Sequence, residues 1–247
     1  MPCEIKPAAY IPAAIARGRI AVFTDLKNPA LEKRSGKREI AKINCEPAVF
    51  LNLLYNLTGK ENYDGIRVYF ALQEDILTLI FVTTLKDEKD KEVHIDNITN
   101  CWIMSSGSIK PIDSTKASDL IKDYEKERLI YFVADGWEAI KPGYTETKSL
   151  WYSKELFGKN NRDGLIDYME CLISDKLIDE VIVWFGGFLK SDEVEDANTP
   201  EYQLTLIFQL KGETSKDAAF LDDHIDTARP CPPPSNGCRT FGAQLPL

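Results

Sequence analysis

The sequence predicts an α+β fold in which two tandem copies of one unit carry mainly antiparallel sheets. Three observations lead there. IRVYFALQEDILTLIFVTTL (residues 66–85) and VIVWFGGFLKSDEVEDANTPEYQLTLIFQL (residues 181–210) are each an alternating apolar strand, a connection and a second strand containing LTLIF. A helical apolar stripe precedes each pair. A shared phrase follows each pair, HIDNITNCWIMSSG from His94 and HIDTARPCPPPSNG from His224. A self-similar chain is read as repeats before anything else, because a missed repeat misplaces every element after it.

In the strand pairs Ile66 aligns with Val181, Tyr69 with Trp184 and Phe70 with Phe185, and Leu77 to Phe81 align with Leu204 to Phe208. Alternation with period two puts one face of each strand inward. The short connections favour antiparallel hairpins. Upstream, AVFLNLLYNL (48–57) and GLIDYMECLI (164–173) space Phe50, Leu51, Leu54, Leu57 and Leu165, Ile166, Met169, Leu172 as helical core faces. Further upstream, RIAVF (19–23) and RLIYF (128–132) read as strands, each after a helix. The second of these helices has Asp113 or Ser114 as its N-cap and a stripe of Ala117, Leu120, Ile121 and Tyr124. The unit therefore reads helix, strand, strand, helix, strand, strand, tail, with copies at 1–110 and 111–247.

Bulk properties narrow the classes of function. A net charge of −9 repels phosphate backbones, so nucleic acid is not an expected partner. The N-terminus lacks the continuous apolar region of a signal peptide, and no run reaches the ~18 apolar residues of a membrane span. The expected location is cytoplasmic, with no membrane span. The six cysteines are widely spaced and form no CxxC pair, so mostly free thiols are expected. Cys171, in DYMECLI, reads as a small apolar core residue.

The HIDxxxxC phrase is the best candidate for chemistry, and it holds both histidines of the chain. Imidazole, carboxylate and thiolate are competent ligands for zinc or a related ion. The candidate metal residues are His94, Asp96 and Cys101 in the first copy, and His224, Asp226, Cys231 and Cys238 in the second. The competing reading is that His and Asp hold the segment down by hydrogen bonds, with Cys as filler and no cofactor. The tail is expected to be ordered, with His224 as its anchor. No GxSxG, P-loop or GxGxxG is present, and an enzyme with a site between the copies is the lesser alternative. ALEKRSGKREIAK (30–42) reads as a basic hairpin tip, and Trp151 as a packing anchor.

The GIRVYF strand, the LTLIFV strand and the PCPP…C ending resemble a group of uncharacterised bacterial proteins of about one such unit. That resemblance implies a fold relationship and no activity. The first copy departs from it, having NCWIMSSG where the second has PCPPPSNG. The functional expectation is a non-enzymatic structural or protein-interaction protein, with a protein partner or self-association.

Overall fold

The computed structural model describes residues 10–88, 93–129, 146–157, 164–189 and 202–212, together with the backbone of 222–225 and 229–231. The chain runs β1 (Tyr10–Ile11), α1 (Ala13–Ala21), a π-helical segment Val22–Lys27, α2 (Asn28–Ser35), β2 (Lys42–Cys45), α3 (Pro47–Thr58), β3 (Tyr63–Gln73), β4 (Ile76–Lys86), β5 (His94–Ser105) and β6 (Ser108–Pro111). It continues with α4 (Ser114–Tyr124), a second π-helical segment Glu125–Leu129, β7 (Ser149–Ser153), α5 (Lys154–Phe157), α6 (Leu165–Ser174), β8 (Glu180–Gly187), β9 (Leu204–Lys211), β10 (Asp222–Ile225) and β11 (Arg229–Cys231). The strands form two antiparallel sheets, in the orders β1-β10-β9-β8-β2 and β11-β7-β3-β4-β5-β6.

Local chemistry accounts for the element ends. Pro47 opens α3 with its φ already helical. The Asp113 side chain accepts from the amides of Thr115 (2.8 Å) and Lys116 (3.3 Å), capping α4 as the sequence predicts. The β3–β4 hairpin turns at Glu74 and Asp75, both at positive φ (52° and 66°), as a two-residue turn matched to strand twist requires.

Each sheet turns one face to a shared core. Val68, Phe70, Leu79 and Phe81 lie there from one sheet, and Val183, Phe185, Leu206 and Phe208 from the other. Between them come Phe50, Leu53, Leu54 and Leu57 of α3 and Leu165, Ile166, Met169 and Leu172 of α6; these are the stripes read from the sequence, except that Leu51 is half-buried at the core's edge and Leu53 is buried. Rings tie the layers together: Phe70 to Phe185 at 6.2 Å, Tyr152 to Phe208 at 5.7 Å. The opposite faces carry helices. Ala117 and Ile121 of α4 cover Tyr69, Ile80, Val82 and Cys101, while Ala16 of α1 covers Ile11 and Ile207.

The two sheets match in register. Tyr69 faces Ile80 as Trp184 faces Ile207, and Phe70 faces Leu79 as Phe185 faces Leu206. The flanking strand also matches, with Tyr69 and Ile66 facing Ser149 and Tyr152 of β7, and Trp184 and Val181 facing Lys42 and Cys45 of β2. Those flanking strands cross over: β2 completes the sheet of β8–β10, and β7 completes the sheet of β3–β5. The helices cross in the same sense. Stretches 1–110 and 111–247 therefore do not each hold a sheet of their own.

Two local expectations fail. RIAVF is not a strand, since Arg19–Ala21 end α1 and Val22–Phe23 open the π-helical segment. A short apolar run fits either period, and here Ile20 and Phe23 serve opposite layers of a helix rather than one face of a strand. RLIYF falls partly outside the described residues, but Arg128 and Leu129 are likewise π-helical. The basic stretch is no hairpin: Asn28–Ser35 is α2, ended by Gly36 at φ 71°, and Lys37 pairs with Asp75.

Gly65 stands where the β3–β4 register slips, and a Cβ there would lie 2.5 Å from the Tyr152 carbonyl and 2.6 Å from Trp151 Nε1. Gly65→Val is expected to destabilise the protein by about 1–3 kcal/mol through overpacking. Urea unfolding measures this, with Gly18→Ala, which meets only the Leu189 side chain at 3.2 Å, as the milder comparison.

Candidate functional site

A polar cluster lies beside the α4-covered patch and draws on four strands. Asp64 Oδ1 accepts from the Thr84 hydroxyl (2.6 Å), which accepts from Trp151 Nε1 (3.0 Å). Asp64 Oδ2 sits 2.7 Å from His94 Nδ1, and the imidazole stacks on the Trp151 ring at 3.9 Å between centroids. Arg67 donates through Nη1 to Asp96 (2.5 Å) and through Nη2 to the His94 carbonyl (3.0 Å). The Tyr69 hydroxyl donates to the other Asp96 oxygen. Gly65 makes the cluster possible, because it lets the indole of Trp151 lie against β3. Trp151 is the packing anchor the sequence suggests, with a polar duty added.

Burial decides the electrostatics. It pushes the Asp96 carboxyl up to about 6, since the Arg67 guanidinium and the Tyr69 hydroxyl offset only part of the desolvation. It also pushes the Tyr69 hydroxyl up, with Asp96 adding to the effect. The Cys101 thiol rises to about 12 by burial, helped by Asp96 and Asp113, and its Sγ–H donates to the Ile98 carbonyl at 3.3 Å.

The predicted metal residues fall as follows. His94, Asp96 and Cys101 share β5, but His94 is held by Asp64, Asp96 by Arg67 and Tyr69, and Cys101 by a backbone carbonyl. Among the described residues, no group of three or more His, Cys, Asp or Glu is arranged to hold a metal ion. His224 pairs with Gln209 and Ile11 in one sheet, while Cys231 pairs with Ser149 in the other. The shared phrase is not placed alike: Cys101 faces Val82, the residue after Phe81, and it is His224 that faces the matching residue, Gln209. Asp226, Cys238 and most of the tail expected to be ordered lie outside the described residues. Cys171 is not a buried free thiol; it is half-buried and disulfide-bonded, while Cys45 and Cys101 are free.

Two further constellations involve residues that no sequence motif marks. The first joins Lys27, at the end of one π-helical segment, to Glu146, and both side chains are fully buried. Glu146 Oε1 also accepts from the amides of Leu204 (2.7 Å) and Thr147 (2.8 Å). The second joins Arg128, in the other π-helical segment, to Glu39 at 2.5 Å, and Glu39 Oε2 accepts from the Leu77 amide at 3.0 Å. Arg128 reaches on to Asp75 at 2.5 Å. Each carboxylate lies three residues before the strand that crosses over, Lys42 or Ser149. Each cation lies four residues after a ring seated on the opposite hairpin: Phe23 on Phe185 (5.5 Å) and Tyr124 on Phe70 (5.7 Å). Leu77 and Leu204 both open the LTLIF phrase. Burial pulls the Lys27 ammonium below its ordinary range, and Glu146 restores part of that. The sequence signal is a glutamate three residues before KINC and SLWYS and a cation four residues after Phe23 and Tyr124; the likeness of RIAVF to RLIYF hides it, because it sets the upstream helices eight residues out of step.

No protein-family model, curated protein or solved structure matches the chain. No helix among the described residues is long and apolar enough to cross a membrane.

Glu146→Gln leaves the Lys27 ammonium buried without its counter-charge and is expected to cost about 3–5 kcal/mol in denaturant unfolding. Lys211→Ala, at the largely exposed pair with Glu180, is expected to cost about 0–1 kcal/mol. A pH series isolates Asp96. Its folded pKa of about 6 stands above the ~3.9 of an unfolded chain, so the native state holds the proton more tightly. The resulting stabilisation is complete below pH ~4 and is lost as pH rises through 6. Relative to Asp96→Asn, the wild type is expected to lose up to about 3 kcal/mol between those limits.

Proposed function

We propose that the chain is a non-enzymatic interaction protein built from two copies of one α+β unit that lend each other a helix and a strand. The observation that carries this reading is the matching register of the two sheets, each flanked by the other half's strand. Such a body is stiff and presents two related, helix-covered outer faces to protein partners. The buried charges favour the same reading. Lys27, Arg67 and Arg128 are each paired with carboxylates of the chain itself, which braces the frame.

Photo-crosslinking side chains placed at Leu26 and Ile76, two exposed apolar positions, provide the test in native lysate. The expected result is a recurring protein adduct whose purified form binds the chain, more weakly after Ile76→Asp or Leu26→Asp. Substrate turnover abolished by His94→Ala, or a monomer that gives no protein adduct at either position, would overturn the proposal.

A second reading keeps a metal, zinc or a related ion. Asp64 holds His94 Nδ1, which leaves Nε2 as the ligand atom, the carboxylate–imidazole arrangement common behind metal ligands. Elemental analysis of protein purified without added metal decides it. Stoichiometric metal, with a melting temperature lowered by chelator, is expected under this reading. Absence of metal together with an unchanged melting temperature removes it.

A further inference from the structure

We infer that the unit is a self-pairing module whose natural partner is a second copy of the same unit, and that the two buried ion pairs are its recognition elements. The inference rests on the proposed duplication and names the partner class that goes with it. At the contact between them each half contributes one buried cation and one buried carboxylate. The first has Lys27 and Glu39, the second Arg128 and Glu146. Both of these pairs form across the halves, Lys27 to Glu146 and Arg128 to Glu39.

The second oxygen of the Glu39 carboxylate takes the Leu77 amide, while Glu146 takes the Leu204 amide, each the first residue of its own half's LTLIF strand. A surface that holds both members of a complementary pair complements itself. That is the property of an isologous two-fold interface, in which the same patch is used twice. The exchanged elements obey the same rule. α1 and β2 of the first half complete the second sheet, and α4 and β7 of the second complete the first. The ring contacts repeat it, Phe23 on Phe185 and Tyr124 on Phe70. Here the partner copy is attached through the short link between β6 and α4, so the pairing is intramolecular and the effective concentration high.

The test uses the full chain. A protease recognition sequence is inserted between Ile112 and Asp113, and the protein is cut only after folding. The two pieces are expected to co-migrate at the size of the uncut chain and to separate only in denaturant. Glu39→Gln and Glu146→Gln should each weaken their association on the order of 100-fold or more, and by similar factors. Asp96→Asn, whose ion pair lies within the first half, should change it less than tenfold. Pieces that fall apart at micromolar concentration with both ion pairs intact overturn the inference. So does an association unaffected by either glutamine, or affected by only one.

Should a glutamine variant fail to fold before cutting, hydrogen exchange of the Leu77 and Leu204 amides in the uncut parent replaces it. Protection at both that agrees within tenfold supports the inference, and protection at one alone overturns it. Failure here leaves the interaction reading standing, because crosslinking at Leu26 and Ile76 decides that separately.

Discussion

The constraint on which the architecture rests is a carboxylate held in a dry core. Buried carboxylate oxygens such as those of Glu146 and Glu39 need donors. Each finds one long-range cation and one strand amide. The acceptor and its two donors come from different parts of the chain: the carboxylate from the segment entering the exchanged strand, the cation from a π-helical turn and the amide from the start of a hairpin strand. All three must arrive together, so helix, flanking strand and hairpin are placed by one site. The π-helical segments follow from this, because a widened turn at the end of α1 or α4 carries the cation inward just after the ring that seats the helix.

Much of the frame was legible in the sequence because hairpins and amphipathic helices announce themselves by period. The LTLIF strands, the α3 and α6 stripes and the Asp113 cap stand where their spacing puts them. The crossing of β2 and β7 was not legible. Strand periodicity states which face is buried and says nothing about which sheet a short strand joins. KINC and SLWYS are too short to choose by themselves, and each follows a carboxylate that is anchored to a strand of the other sheet. Of the candidate site, His94 and Asp96 were visible as chemistry-bearing residues, but their partners were not. Asp64, Arg67 and Tyr69 come from a strand that reads as apolar, and Thr84 is the polar end of another. The repeated HID phrase suggested equivalent positions. The first copy instead has β4 running on to Lys86, which shifts His94 four residues along the ladder relative to His224.

The two halves share a frame and differ in what stands on it. At the register positions of Gly65, Trp151 and Thr84 the second half has Glu180, Asn44 and Lys211. There Asn44 donates to Glu180 at 2.7 Å, and Lys211 lies 3.4 Å from the same carboxylate, in a half-exposed ladder. The glycine is a necessary part of the difference. A side chain at position 65 would expel the indole, and without the indole neither the Thr84 bond nor the stacked imidazole could form. The outer face of the β3–β5 sheet thus carries a polar cluster that the matching register positions of the other sheet lack.

Why the frame uses charge where apolar residues would serve is a question of selectivity. A buried ion pair gives little net stability over a well-packed apolar replacement, because desolvation cancels most of the attraction. Its value lies in the penalty for a mismatch, since a wrongly docked helix leaves a buried charge unpaired. A chain holding two similar hairpins, two similar helices and two similar flanking strands has several ways to combine them. Apolar contacts alone would separate these poorly: Ala16 with Ile207 and Ala117 with Ile80 are nearly the same contact. Each ion pair joins the cation at one helix end, the carboxylate ahead of one flanking strand and the first LTLIF amide of one hairpin.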